Sequence, residues 1–316
     1  MFGGNINTAG ANMKYITGTL DFALNKRSAI TLGKFDGLHR GHNKLVDRIL
    51  KIGKDGFETV IFTFDVSPTV RLQNAGFRAL LTNEERKERV EEKGVDCLIE
   101  CPFVQEIMHM EPEDFIKEVL VNQLKAAYII VGPDFHFGHD RKGNPQMLKD
   151  FGLRYNYRVE ILDKVMDEAR AVSSTYIREE ILNGNIEKAN DLLGYPYFVT
   201  ETVVRGRQLG RTIGMPTINI VPSEYKLLPP YGVYTSRTYI NGTVYEGVSN
   251  IGVKPTVGSN QTGVETFLFE CNENLYDMEA KVEFYHYQRP EIKFDSIEAL
   301  KQQIHRDEHQ ARQYFA

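Results

Sequence analysis

The chain has 316 residues, of which 41% are hydrophobic and 26% charged, and it carries a formal net charge of −5. That length holds one large domain or two ordinary ones, and the composition is that of a soluble globular protein. The acidic balance excludes a general electrostatic footprint for nucleic acid, no apolar run reaches the roughly 18–20 residues that cross a bilayer, and Cys97, Cys101 and Cys271 form no C-x-x-C pair, which fits a reducing, cytoplasmic setting.

Residues 1–13 (MFGGNINTAGANM) lack the basic-then-apolar order of a signal peptide and read as a loose tail. From about residue 28 to 183, β-branched apolar runs alternate with helical patterns; the candidate strands are 28–33, 58–64, 97–101, 127–132 and 157–165. Thr82-x-x-Glu85 is a capping box that opens one helix, and Pro112 suits the first turn of another. The charge run at 84–93 reads as a solvated helix face. This βαβ alternation predicts an α/β domain, a doubly wound parallel sheet with ligands at the carboxyl ends of its strands.

After about residue 187 the helical patterns stop and short alternating segments take over. Asn241-Gly242 asks for a type I′ hairpin within 235–248, and further strands are expected at 197–204, 216–220, 264–270 and 279–287. Asp295-x-x-Glu298 precedes an amphipathic helix running to the last residue. This half reads as a small antiparallel β-barrel with a closing helix. The expected organisation is a tail over 1–13, a sheet domain over 14–186 and a barrel domain over 187–316.

Two segments carry chemistry. In GKFDGLHRGH (33–42), Gly33 and Gly37 let the backbone approach a phosphate chain, and the helix start that follows favours an anion. His39 and His42 share a face of the first turn, where imidazole N–H groups can hold charge building on an α-phosphate. Ser173, Ser174 and Thr175 are natural caps for a helix whose first turn would hold Arg178, within bidentate reach of phosphate.

Far downstream, Gly206, Gly210 and Gly214 recur at a four-residue spacing that is not a P-loop. Thr217 and Asn219 lie two apart and share a strand face, where a hydroxyl and an amide oxygen can complete the coordination of Mg²⁺. Glu265 shares a face with Phe267 and Phe269, two aromatics expected to point inward, and is a candidate general base.

GKFDGLHRGH (33–42), DFHFG (134–138) and SSTYIR (173–178) resemble the nucleotidyltransferase superfamily, and more narrowly the adenylyltransferase half of the prokaryotic bifunctional riboflavin kinase/FMN adenylyltransferases. The second half is similar to the riboflavin kinase domain of that family through GMPTIN (214–219) and the VE of 264–265, and SNIGVKPTVG (249–258) and RPEIKF (289–294) match further family segments.

The resemblance implies a cytoplasmic enzyme that phosphorylates riboflavin to FMN and adenylylates FMN to FAD with release of pyrophosphate. ATP is its co-substrate and Mg²⁺ its cofactor; no nucleic acid or membrane partner is implied. It places adenylyl-site ATP on Gly33, Phe35, Gly37, His39, His42, Ser174, Thr175 and Arg178, and kinase-site ATP on Gly206, Gly210, Gly214, Thr217 and Asn219. Thr217 and Asn219 would also meet the metal, Asp134, Phe135 and Arg289 the flavin, and catalysis falls to Glu265, His39, His42 and Arg178. Ser67 stands where the family commonly has the histidine of a Pro-His-Pro, and His136 where arginine is common. These departures leave two alternatives: a chain whose kinase alone is efficient, or a flavin and nucleotide sensor without turnover.

Overall fold

Six parallel strands form the first sheet of the computed structural model, which describes residues 13–65, 78–206, 215–256, 259–271 and 273–316. They are β1 Lys14–Thr17, β2 Ser28–Leu32, β3 Glu58–Phe64, β4 Cys97–Cys101, β5 Ala126–Val131 and β6 Arg158–Ile161, in the order β1-β4-β3-β2-β5-β6. Every pairing is parallel, as the continuous apolar runs require. Helix α1 (Arg40–Gly53) lays Val46, Ile49 and Ile52 on one face. On the other, the π-helical turn Phe115–Gln123 brings Phe115, Ile116, Val119 and Leu120 into a core with Ile30, Leu32, Val60, Phe62 and Ile99.

The strand order reverses between β2 and β5, so the crevice at their carboxyl ends is where such sheets bind ligands. Strand β1 adds an edge beside β4 that the sequence reading left out. β6 stops at Ile161, short of the expected 165, and a small hairpin follows as β7 (Met166–Asp167) and β8 (Arg170–Ala171). Thr82 and Glu85 make the expected capping box at the head of α2 (Asn83–Glu92). The charge run there is not all solvated. Arg86 is buried, its guanidinium held at 2.8 and 2.5 Å by Glu100 at the end of β4, and Glu100 also accepts from the Tyr15 hydroxyl at 2.6 Å.

Residues up to 77 and 81–172 make the first compact unit; 78–80 and 173–316 make the second. The second opens with α3 (Ser174–Leu182) and α4 (Ile186–Leu193). Helical structure therefore persists past 187, because Ile186, Ala189, Leu192 and Leu193 form one buried stripe that packs on the strands. Six antiparallel strands follow: β9 Tyr197–Thr202, β10 Thr217–Ile220, β11 Gly232–Ile240, β12 Thr243–Thr256, β13 Ser259–Leu268 and β14 Glu279–Arg289. Their order is β10-β13-β12-β11-β14-β9, and a bridge between Val204 and Asn219 joins the two edges, so the sheet curls back on itself. Asn241 (φ 48°) and Gly242 (φ 76°) make the tight turn that the Asn-Gly pair predicts.

One face of this sheet carries the buried Tyr234, Ser236, Ser249, Thr266 and Phe284, with the Ser249 hydroxyl bonded to Ser236 at 2.8 Å and to Thr266 at 2.7 Å. The opposite face carries Val233, Val248 and Phe267, which pack with Phe269 against Ala311 of the closing helix α5 (Ile297–Phe315). Phe267 and Phe269 thus pack inward against the closing helix, and Phe267 shares its face with Glu265 as strand alternation predicts. The helix is capped by Ser296, which accepts from Ala299 N–H at 3.1 Å, one residue later than Asp295. Within the same unit the buried Lys226 donates to the Leu80 carbonyl at 2.7 Å, with its ammonium 4.6 Å from the centre of the Tyr197 ring.

Candidate active sites

Strand β2 ends in Gly33-Lys34-Phe35-Asp36-Gly37-Leu38, a turn that brings the chain back into α1. Gly37 has φ 84°, and the buried Phe35 (φ 46°) and Leu38 (φ 37°) are also left-handed. Such conformations cost bulky residues about 1–3 kcal/mol each, and strain of this kind gathers at ligand-binding turns. The core holds it in place: Phe35 packs over Gly33, Gly33 N–H donates to the Phe62 carbonyl at 3.2 Å, and the Thr63 hydroxyl donates to the Lys34 carbonyl at 3.1 Å.

His39 is the N-cap of α1. Its Nδ1 accepts from the backbone N–H of His42 at 3.3 Å, which leaves the ring proton on Nε2. The two imidazoles stack with centroids 3.7 Å apart, and Phe35 lies 5.0 Å from the His42 ring. Gly41 makes the stack possible, since a Cβ there would meet the His39 ring at 3.1 Å. Burial pushes His39 down to about 4; burial, then the neighbouring His39, pushes His42 well below the ordinary histidine range. Both rings are therefore neutral near pH 7, each carrying one ring N–H. No acidic residue occupies the first turn of α1 itself, whose N-terminus carries the positive end of the helix dipole.

Asp134 and Phe135 follow β5, at the same carboxyl edge of the sheet. The Asp134 carboxylate is held below its usual range, chiefly by its bond to Lys164 at 2.9 Å, a partner the sequence reading did not single out. Phe135 stacks on Phe137 at 5.6 Å, and the exposed His136 turns its Nδ1 to the Asp134 carbonyl at 2.9 Å. Ser173 caps α3 by accepting from Tyr176 N–H at 3.2 Å, with Ser174 and Thr175 in the first turn. Arg178 is the fifth residue of the helix, just past the first turn where it was expected, because the cap is Ser173; its Nε donates to the Arg78 carbonyl at 3.2 Å. Ser67 lies outside the described residues.

In the second unit, strand register assembles the other constellation. Asn219 is directly opposite Glu265 on β13, and Thr217 opposite Phe267, so Thr217, Asn219 and Glu265 share one face. The Thr217 hydroxyl donates to Glu265 Oε1 at 2.8 Å. Gly206 lies against Asn219, where a Cβ would collide with the side-chain amide. Gly210 and Gly214 lie outside the described residues. Arg289 is engaged by Asp307 of α5, with Nε 2.9 Å from Oδ1 and Nη2 2.5 Å from Oδ2, and Asp307 is only 2% exposed.

Residues 21–176 match the FAD synthetase family and residues 193–315 the riboflavin kinase family. A bifunctional riboflavin kinase/FMN adenylyltransferase of Listeria monocytogenes is 34% identical over 291 residues, covering 91% of this chain and 92% of the relative. The chain belongs to the bifunctional riboflavin kinase/FMN adenylyltransferase family. Members from Bacillus subtilis and Escherichia coli are 34% and 33% identical, over 92% and 96% of this chain and 93% and 98% of theirs. A solved structure described as a macrolide-efflux protein from Streptococcus pneumoniae superposes with a TM-score of 0.84 at 31% identity, covering 92% of this chain and 96% of that one. No helix among the described residues of this family member is long and apolar enough to cross a membrane.

Proposed function

We propose that this chain makes FAD from riboflavin by two consecutive transfers, one in each half. In the kinase half, expected over 187–316, Glu265 accepts the proton of the riboflavin 5′-hydroxyl while that oxygen attacks the γ-phosphorus of ATP and ADP leaves. In the adenylyltransferase half, expected over 14–186, a phosphate oxygen of FMN attacks the α-phosphorus of a second ATP and pyrophosphate leaves. His39 and His42 donate N–H bonds to the α-phosphate oxygens as charge builds there. Neither transfer needs a covalent enzyme intermediate, since positioning and charge stabilisation suffice.

The observation that carries this reading is the register that sets Thr217 and Asn219 on one face with Glu265. A hydroxyl that gives its proton to a carboxylate keeps lone pairs for a cation. Thr217 and the Asn219 amide oxygen therefore fit a Mg²⁺ that arrives with ATP and keeps phosphates and waters as its other ligands. When bound, that ion supplies charge neutralisation at the phosphates.

The remaining roles are carried by family likeness: ATP at Ser174, Thr175 and Arg178 for the adenylyl step and at Gly206, Gly210 and Gly214 for the kinase, flavin at Asp134, Phe135 and Arg289. A cytoplasmic setting is supported by the free thiols of Cys97 and Cys101, which burial pushes up to about 12 and leaves unreactive. The acidic net charge supports the absence of a nucleic-acid partner. One incubation with riboflavin, ATP and Mg²⁺, followed by chromatography, tests the whole sequence. FMN should rise first and FAD after it, and a chelator should stop both. FMN that never becomes FAD removes the second transfer, and absence of FMN removes the first.

A further inference from the structure

Asn250 lies on β12 directly opposite Glu265 of β13, so its amide shares the face that carries Thr217 and Asn219. Its Nδ2 donates to Glu291 Oε1 at 3.1 Å. Glu291 belongs to the irregular segment after β14, and it reaches the strand because residue 252 is glycine: a Cβ there would occupy the carboxylate's place. A carboxylate can only accept from an amide, so Glu291 fixes which end of the Asn250 side chain faces it. The other end, Oδ1, is buried and has no hydrogen-bond donor among the described residues. A buried acceptor left in that condition is costly and calls for a donor from water, an ion or a ligand, and this one lies beside the carboxylate assigned as the base.

We infer that the Asn250 carbonyl oxygen reads a hydroxyl of the polyol chain of the kinase substrate, the one on the carbon next to the phosphorylated hydroxyl, and that Glu291 positions it to do so. This rests on the assignment of Glu265 as the base that meets the attacked hydroxyl. Residues directly opposite on neighbouring strands have side chains roughly 4.5–5.5 Å apart at Cβ. Two groups at that separation suit hydroxyls on adjacent carbons, one donating to Glu265 and the other to Asn250. For riboflavin these are the 5′- and 4′-hydroxyls. Asn250 would then be a specificity residue that touches substrate, and Glu291 a positioning residue that acts through it. Selectivity follows because a substrate lacking the second hydroxyl leaves the buried Oδ1 without that donor.

The test compares riboflavin with 4′-deoxyriboflavin and 2′-deoxyriboflavin as phosphoryl acceptors, using kcat/KM on one preparation of each protein. A ratio of two substrates on one preparation is independent of how much of it is folded. Wild type should disfavour the 4′-deoxy compound by about ten- to a hundredfold and the 2′-deoxy compound far less. In Asn250→Ala the 4′-deoxy penalty should disappear, because riboflavin falls to the level of the analogue. Glu291→Gln keeps an acceptor for Nδ2 and should retain the discrimination, whereas Glu291→Ala should lose most of it. A 4′-deoxy penalty that survives in Asn250→Ala, or one missing from wild type, overturns the inference while leaving the kinase assignment intact. A wild-type chain that phosphorylates none of the three overturns both.

Discussion

The Thr217 hydroxyl donates to Glu265 Oε1 at 2.8 Å across a strand pair whose register places Asn219 directly opposite the same glutamate. A proposed metal-binding hydroxyl and a proposed base are thus held by one backbone ladder. Their spacing follows from strand pairing, not from loop conformation, so a change of either side chain should alter chemistry with little change of fold.

Glu265→Gln is the sharpest consequence. The amide keeps the size and can still accept from Thr217, but it takes no proton. Riboflavin phosphorylation should fall by about 10²–10⁴-fold, the usual worth of a positioned base, while added FMN is still converted to FAD. Wild-type kinase turnover in this variant would remove Glu265 from the role.

His42→Ala should produce the opposite split. The variant removes one of two stacked imidazoles at the head of α1, whose own first turn holds no acidic residue. FAD formation from FMN should drop by about 10²–10³-fold, the cost of one charge-stabilising donor, with FMN formation preserved. If both activities fall by the same factor, the division of labour between the two halves is wrong.

Gly41→Ala asks whether the position of the His39 ring matters or only its presence. The added methyl would lie 3.1 Å from the ring's Nδ1 and Cε1 and must push it aside, lengthening the bond from His42 N–H. Displacements of this order cost about ten- to a hundredfold in rate when geometry is the source of catalysis. Steady-state FMN adenylylation should show the loss in kcat, with thermal unfolding nearly unchanged. An unaltered kcat would mean the imidazole pair tolerates movement.

Burial of neutral His39 also makes a stability prediction. Its folded value of about 4 lies below the ordinary 6.5, so between those values the unfolded chain binds the proton more readily. The contribution is complete above about pH 6.5 and is lost as pH falls through about 4, amounting to about 3 kcal/mol, and His42 acts in the same direction. His39→Asn keeps an N-cap acceptor without a titrating ring. Urea unfolding between pH 7 and pH 4 should be less pH-dependent in that variant than in wild type; equal slopes would contradict the assignment.

How much of this was legible in the chain depends on whether local pattern or distant partners decided the outcome. The runs 58–64 and 97–101 became strands with the expected limits because helices cover both their faces, which leaves an uninterrupted apolar signal. The edge strand KYIT at 14–17 was missed since its two exposed ends look like loop. Arg86 looked like one more charge in a solvated run; its partners Glu100 and Tyr15 arrive from two other strands. The motif histidines and the Thr217, Asn219 and Glu265 set were readable because their spacing matches a family. Asn250 and Glu291 lie in family-like segments, yet nothing local separates them from polar residues facing water. Arg289 was placed near flavin, and only the fold shows its guanidinium gripped by Asp307.

The bond from Lys226 to the Leu80 carbonyl bears on where the chain can be cut. A fragment made of residues 187–316 would keep the ammonium beside Tyr197 and Phe198 but lose that carbonyl, together with the Ala79 backbone that pairs beside it. Desolvated cations tolerate the loss of an acceptor poorly. The isolated kinase half should accordingly melt earlier than the same half does within the intact chain, and a short peptide spanning residues 78–80 should restore part of the difference. A cut at residue 187 does not follow the edge of the second compact unit, which takes in residues 78–80.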